Sequence, residues 1–149
     1  MTDHNPGELI AGIIDEFEQV NTAREHALGR SRHVIRASAN AIRAAHRGEI
    51  DDARSGAAEA SRLMDEIVHH VEDHPSLAGA GYVNDAMKEV AEAHLTIAIL
   101  AGEPLPAPSD LGVASAAWLN GLAEAASELR RDALDALRQN DVEQAEALL

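Results

Sequence analysis

Apolar residues recur with a helical period along almost the whole chain, and glycine and proline fall where such helices would begin and end. Asn5-Pro6 reads as an N-cap followed by proline at the first helical position. No further proline occurs before Pro75, so one long helix is predicted from Pro6 to Arg47, closed by Gly48. A second helix is predicted from about Asp51 to His74, where Pro75 stops it. Leu77 to Gly81 reads as a loop, and Tyr82 to Ala101 as a third helix. Pro104, Pro106 and Pro108 exclude helix between Gly102 and Asp110. A fourth helix follows from about Leu111 to Gln139, and Asn140-Asp141 restarts a short one. Gly48-Glu49-Ile50 and Asn140-Asp141-Val142 look like the same tight helix-to-helix turn. The pattern predicts an all-α fold: an elongated antiparallel bundle of about four long helices plus a short C-terminal helix, as a single domain over residues 1–149.

The faces of these helices differ. On the first, Ile35, Ala39, Ile42 and Ala45 form a stripe suited to the core. Arg32, Arg36, Arg43 and Arg47 are spaced 4, 7 and 4, which places them within roughly 60° of one another on a separate face. The third helix is apolar almost all round from Val90, the mark of a buried helix. The fourth carries Leu119, Leu122, Ala126, Leu129, Ala133 and Leu137 on one predicted apolar stripe, with Glu124, Glu128 and Arg131 on another.

Composition changes this picture in two ways. Phe17, Tyr82 and Trp118 are the only large aromatics, so the core must be built from Ala, Leu, Ile and Val. The net charge is −14, and Lys88 is the sole lysine, every other basic side chain being arginine. Acidity with lysine depletion reads as adaptation to molar salt, where self-repulsion is screened. It points to a halophilic archaeon. There is no cysteine, so disulfide and thiolate chemistry are excluded. The polar N-terminus and the lack of a membrane-length apolar run give a cytoplasmic reading.

Two constellations carry chemistry. Arginine binds phosphate through paired, directional hydrogen bonds, so the four-arginine stripe fits a nucleic-acid backbone track. The alternative is a solvated face paired with Glu49, Asp51 and Asp52. Glu89 and Glu92 are three apart, on one face of an otherwise apolar helix. Like charges in such a setting raise one another's pKa, and a divalent cation relieves the repulsion. Oxygen-only ligation suits Mg²⁺, which can activate water and polarise a phosphodiester.

Trp118-Leu119-Asn120-Gly121-Leu122-Ala123-Glu124, followed by Ser127-Glu128-Leu129-Arg130-Arg131, resembles the translin and Trax pattern. Glu89-Val90-Ala91-Glu92-Ala93 resembles the Glu-x-x-Glu segment of Trax-type subunits, again ahead of a proline-containing loop. Arg24-Glu25 through Arg36 is similar to the family's first-helix region. The resemblance implies an all-α homo-oligomer that binds single-stranded RNA or DNA, with Mg²⁺-dependent endoribonuclease activity in the Trax-type subunits. By position it implies Glu89, Glu92 and Glu124 as catalytic and metal-binding residues, and Arg32, Arg36, Arg43 and Arg47 as the nucleic-acid contacts. The third carboxylate is Glu124 where the Trax pattern has Asp. The chain also ends before the last helices the family pattern leads one to expect, as a fragment would.

Other readings compete. Glu66 and His69 have the Glu-x-x-His spacing of di-iron bundles, but no second such pair occurs. His70 and His74 are one turn apart, with Glu66 the only obvious third ligand. Arg62 and His69 have the Arg-x₆-His spacing of HEPN-type helical RNases, which would cleave without metal. A non-catalytic helical interaction module would need none of these groups.

Overall fold

The computed structural model describes residues 5–148, and among these every regular element is helical. The order is α1 (Pro6–His46), α2 (Ile50–Val71), α3 (Pro75–Ala78), α4 (Gly81–Ala101), α5 (Ser115–Arg138) and α6 (Val142–Ala147). The predicted all-α bundle with four long helices is thus the observed fold. Three boundaries differ, the first being the end of α2 at Val71, short of the predicted His74. Pro75 opens the single turn α3 inside the predicted loop, since its fixed φ suits a first helical position. α5 begins at Ser115 instead of near Leu111, because Gly112 turns left-handed (φ 64°) ahead of it.

Local chemistry sets the ends. The Asn5 side chain accepts from the Gly7 N–H at 3.0 Å, capping α1. α1 closes with Gly48 at φ 77°, the Glu49 N–H reaching the Ala44 carbonyl at 3.0 Å. α5 closes the same way at Asn140 (φ 65°), the Asp141 N–H reaching the Ala136 carbonyl at 2.9 Å. These are the two look-alike turns of the sequence. In both, the left-handed residue returns a buried carbonyl's hydrogen bond and reverses the chain.

α1 packs on α2 and α4, and α4 packs on α5. The core runs through Val34, Leu63, Ile67, Val83, Val90 and Leu95. A smaller cluster of Ala41, Ile42, Ala45, Ala53, Ala57 and Ile97 fills the end near the α1–α2 turn. As predicted, α4 is buried almost all round from Val90.

Two predicted stripes are rotated from their true positions. On α1, Ile42 and Ala45 are buried as expected but Ile35 is exposed, and the buried line is Ala27, Ser31, Val34, Ser38, Ala41, Ile42 and Ala45. On α5, Leu119 and Leu137 are exposed, and the buried line is Ala117, Gly121, Ala125, Leu129, Ala133 and Ala136. Small residues take the contact because they let helix backbones approach; bulkier neighbours are pushed to the flanks. A Cβ on Gly121 would sit 2.8 Å from the Ala91 Cβ, the Glu92 nitrogen and the Lys88 carbonyl oxygen. Gly56 meets the Ala41 Cβ at 3.1 Å by the same measure.

The two glycines therefore differ in what would have to yield. Gly121→Ala forces α4 backbone apart and is expected to destabilise toward the upper end of the usual overpacking range of about 1–3 kcal/mol. Gly56→Ala presses mainly on a methyl group and is expected to cost less than half as much. Urea denaturation of both variants checks this ordering.

Candidate metal centre and the arginine-lined cleft

The close approach at Gly121 decides where the acidic side chains meet. Glu89 and Glu92 project from consecutive turns of α4, and Glu124 lies one turn beyond Gly121 on α5. Because α4 and α5 touch at Gly121, the three carboxylates converge. One oxygen from each lies within 4.8 Å of the others, and among the described residues no other group of three or more His, Cys, Asp or Glu side chains does so. Octahedral Mg²⁺ sets opposite oxygens about 4.2 Å apart, so small side-chain movements suffice to ligate an ion. The donor set is all oxygen, and its charge is only partly compensated. The residues therefore fit a divalent cation.

The electrostatics agree. Glu92 is buried. Burial first, then a hydrogen bond with Glu124 and the charge of Glu89, push its carboxyl up to about 8. Glu124 is held below the ordinary carboxylate range, chiefly by its hydrogen bond from Lys88. The Lys88 Nζ donates to Glu124 Oε1 at 2.8 Å and lies 3.2 Å from Glu89 Oε1. The same bond raises the Lys88 pKa. Burial and the neighbouring carboxylates thus favour the protonated form of Glu92, while the Lys88 ammonium bridges the other two. The sequence marked Lys88 only as the sole lysine, not as a member of this centre.

Beside this centre is a cleft of about 580 Å³ whose lining includes Arg43 of α1 and Arg47 just past its end, Glu89 and Glu92 of α4, and Arg131 together with the acidic Glu128, Asp132 and Asp135 of α5. Half of the arginine stripe is therefore brought to the carboxylates. Arg32 and Arg36 lie further along α1, exposed and outside the cleft. Arg43 donates to the Asn40 side chain. Arg47 pairs with Glu49, as the solvated-face alternative anticipates, at 2.9 Å from its Nε. At the back of the cleft, His46 places Nδ1 2.6 Å from Asp132 and Nε2 3.8 Å from Glu128, tying α1 to α5. Arg131, noted in the sequence only as part of a charged face, adds a third arginine to the lining and lies 3.9 Å from Glu128.

The competing constellations are not assembled. Arg62 is engaged by Glu59 and Glu66, while His69 is exposed and faces Glu72 at 3.6 Å. Glu66 also pairs with Arg30 at 3.2 Å, and among the described residues it forms no three-ligand group with His70 and His74. His70 instead stacks on His26 with ring centroids 3.8 Å apart and donates from Nδ1 to the Glu66 carbonyl at 2.8 Å.

The arrangement of long helices matches a translin-type fold. Comparison with solved structures specifies the family. AfC3PO in complex with duplex RNA is 32% identical, with a TM-score of 0.83, over 93% of this chain and 71% of that one. AfC3PO in a second crystal structure is 31% identical, with a TM-score of 0.83, over 93% and 72%. The apo form of NeC3PO shares the fold at 18% identity, with a TM-score of 0.84, over 98% and 76%. The chain belongs to the translin/Trax-like C3PO family. No protein-family model matches it, and no curated protein does so significantly.

The raised Glu92 carboxyl has a signed consequence. A carboxyl with a folded pKa near 8 against 4.5 unfolded binds its proton more tightly in the folded state. The stability this gives is fully present below pH 4.5 and lost as pH rises through about 8. Glu92→Gln cannot ionise and escapes the loss. Without divalent ions, its melting temperature is expected to match wild type near pH 4, to exceed it progressively as pH rises from about 4.5 to about 8, and to hold a constant lead above that, read by circular dichroism.

Proposed function

We propose that this protein binds RNA along the α1 arginine face and cleaves it with Mg²⁺ held by Glu89, Glu92 and Glu124. The observation that carries the reading is the placing of the three convergent carboxylates beside the cleft lined by Arg43, Arg47 and Arg131. The RNA held by AfC3PO supports the substrate class. Bound Mg²⁺ would supply a Lewis acid and an activated water. The chain's own residues do the rest. Arg43, Arg47 and Arg131 orient phosphate oxygens by directional hydrogen bonds, and Arg32 and Arg36 extend the track by about 16 Å of helix. Phosphate contacts do not report base pairing, so the same track suits single strands and the duplex seen with AfC3PO. The scarcity of aromatics leaves little for base stacking.

The test is cleavage of end-labelled RNA by purified protein in molar KCl, with Mg²⁺ or with EDTA. Mg²⁺-dependent cleavage is expected. Glu89→Ala/Glu92→Ala is expected to lose more than the roughly 100-fold that even outer-sphere metal partners are worth. Arg43→Ala/Arg131→Ala should weaken RNA binding while leaving Mg²⁺ binding intact. Cleavage that survives EDTA and the carboxylate double variant would overturn the metal site. RNA binding unchanged in the arginine variant would make the stripe structural.

A homo-oligomer belongs to the same reading. Residues 5–19 are wholly exposed, and Leu9, Ile10, Ile13, Ile14 and Phe17 form one apolar face on this projecting arm. An exposed face of this kind suits a subunit contact. Ile13→Asp/Phe17→Asp is expected to lower the mass measured by light scattering, with helicity retained; an unchanged mass would exclude the arm from assembly.

A further inference from the structure

We propose that Lys88 is a tethered counter-cation that occupies the three-carboxylate centre and must be displaced for a divalent ion to enter. The inference rests on the reading of Glu89, Glu92 and Glu124 as metal ligands, and concerns what sets their affinity. The ammonium contacts oxygens of two of the three residues, one on each helix, at 2.8 Å to Glu124 and 3.2 Å to Glu89. A divalent ion would need those same carboxylates. Opposite charges at these distances hold each other in place, whereas two cations sharing the carboxylates repel, so ammonium and metal compete.

The residue type is informative. Every other basic side chain in the protein is arginine. Arginine's planar fork matches one carboxylate edge-on, whereas an ammonium is a compact charge with three donors that can serve carboxylates from different directions. Its flexible four-carbon stem can withdraw the charge toward solvent without moving α4. The Lys88 side chain is about one-fifth exposed, so a path outward exists. The backbone beneath it is fixed, because the Lys88 carbonyl is one of the three α4 atoms pressed against Gly121. The tether is therefore rigid at its root and mobile at its tip. The device keeps α4 and α5 together when no metal is bound and makes metal affinity a difference between two cations.

Being the single lysine, Lys88 gives one resolvable signal in the wild-type protein. With ¹³C-lysine labelling, its Cε resonance is expected to move toward that of a solvated lysine as Mg²⁺ saturates the site. A resonance unmoved at saturation would overturn the displacement. Calorimetric titration with Mg²⁺ and with Mn²⁺ supplies the second reading. Lys88→Met is expected to tighten both by about tenfold or more, the worth of a charged hydrogen bond no longer broken. Its melting temperature should fall without metal and recover with it. Lys88→Arg, which keeps the charge, should stay as weak as wild type or weaker. Saturable binding that Glu92→Ala abolishes but Lys88→Met leaves unchanged would sink this inference alone. No saturable binding in wild type or in either Lys88 variant would remove the metal site, and the inference with it.

Discussion

The contact on which the rest depends is the one between Gly121 and the backbone of α4. Three α4 atoms lie 2.8 Å from where a side chain at that position would begin. Helices usually pack with axes 8–10 Å apart, according to the side chains between them. Here one helix presents no side chain at all, so its neighbour can lie against the bare backbone. That single absence fixes the registry of α5 on α4. It sets Glu124 opposite Glu89 and Glu92, and sets Arg131 two to three turns along at the mouth of the cleft. The conformational cost of glycine inside a helix is about 1 kcal/mol, and the gain is the positioning of every charged group in the centre.

The same logic explains what could be read in the sequence and what could not. Punctuation was legible: Asn5, Gly48, Asn140 and the three prolines of the loop each impose a local backbone state that needs no tertiary partner. The faces were harder. A periodic reading gives most weight to bulky residues, and on α1 and α5 it selected Ile35, Leu119 and Leu137, which are exposed. In an alanine-rich bundle the buried seam belongs to the smallest side chains. Size then anticorrelates with burial along part of the interface, and a hydrophobic stripe points beside the true contact.

The centre itself divides along similar lines. Glu89 and Glu92 were visible as a local pair, because three residues make one turn. Glu124 depends on a second helix, and only the likeness of the Trp118–Arg131 segment to a known pattern marked it. Lys88 escaped because an adjacent residue on a helix leaves its neighbour's face by about 100°. Its long stem bends back across that angle, which a rule based on Cβ directions does not capture. The chemistry of the centre is a balance of imperfectly neutralised charge: burial pushes one carboxyl toward its protonated form, and two are held by an ammonium. A site in that condition is strained toward a better cation yet remains folded without one.

Trp118 has a use beyond packing. Its indole N–H donates to the Pro106 carbonyl at 2.9 Å, fastening the proline loop to the start of α5. It is the molecule's single tryptophan, and it stands one turn before Gly121 on the helix that carries Glu124. The protein therefore contains its own fluorophore, fastened through the indole N–H to the proline loop and carried by the helix that holds Glu124. Any shift of α5 against that loop would alter the hydrogen bond to the indole, and the colour of its emission would follow.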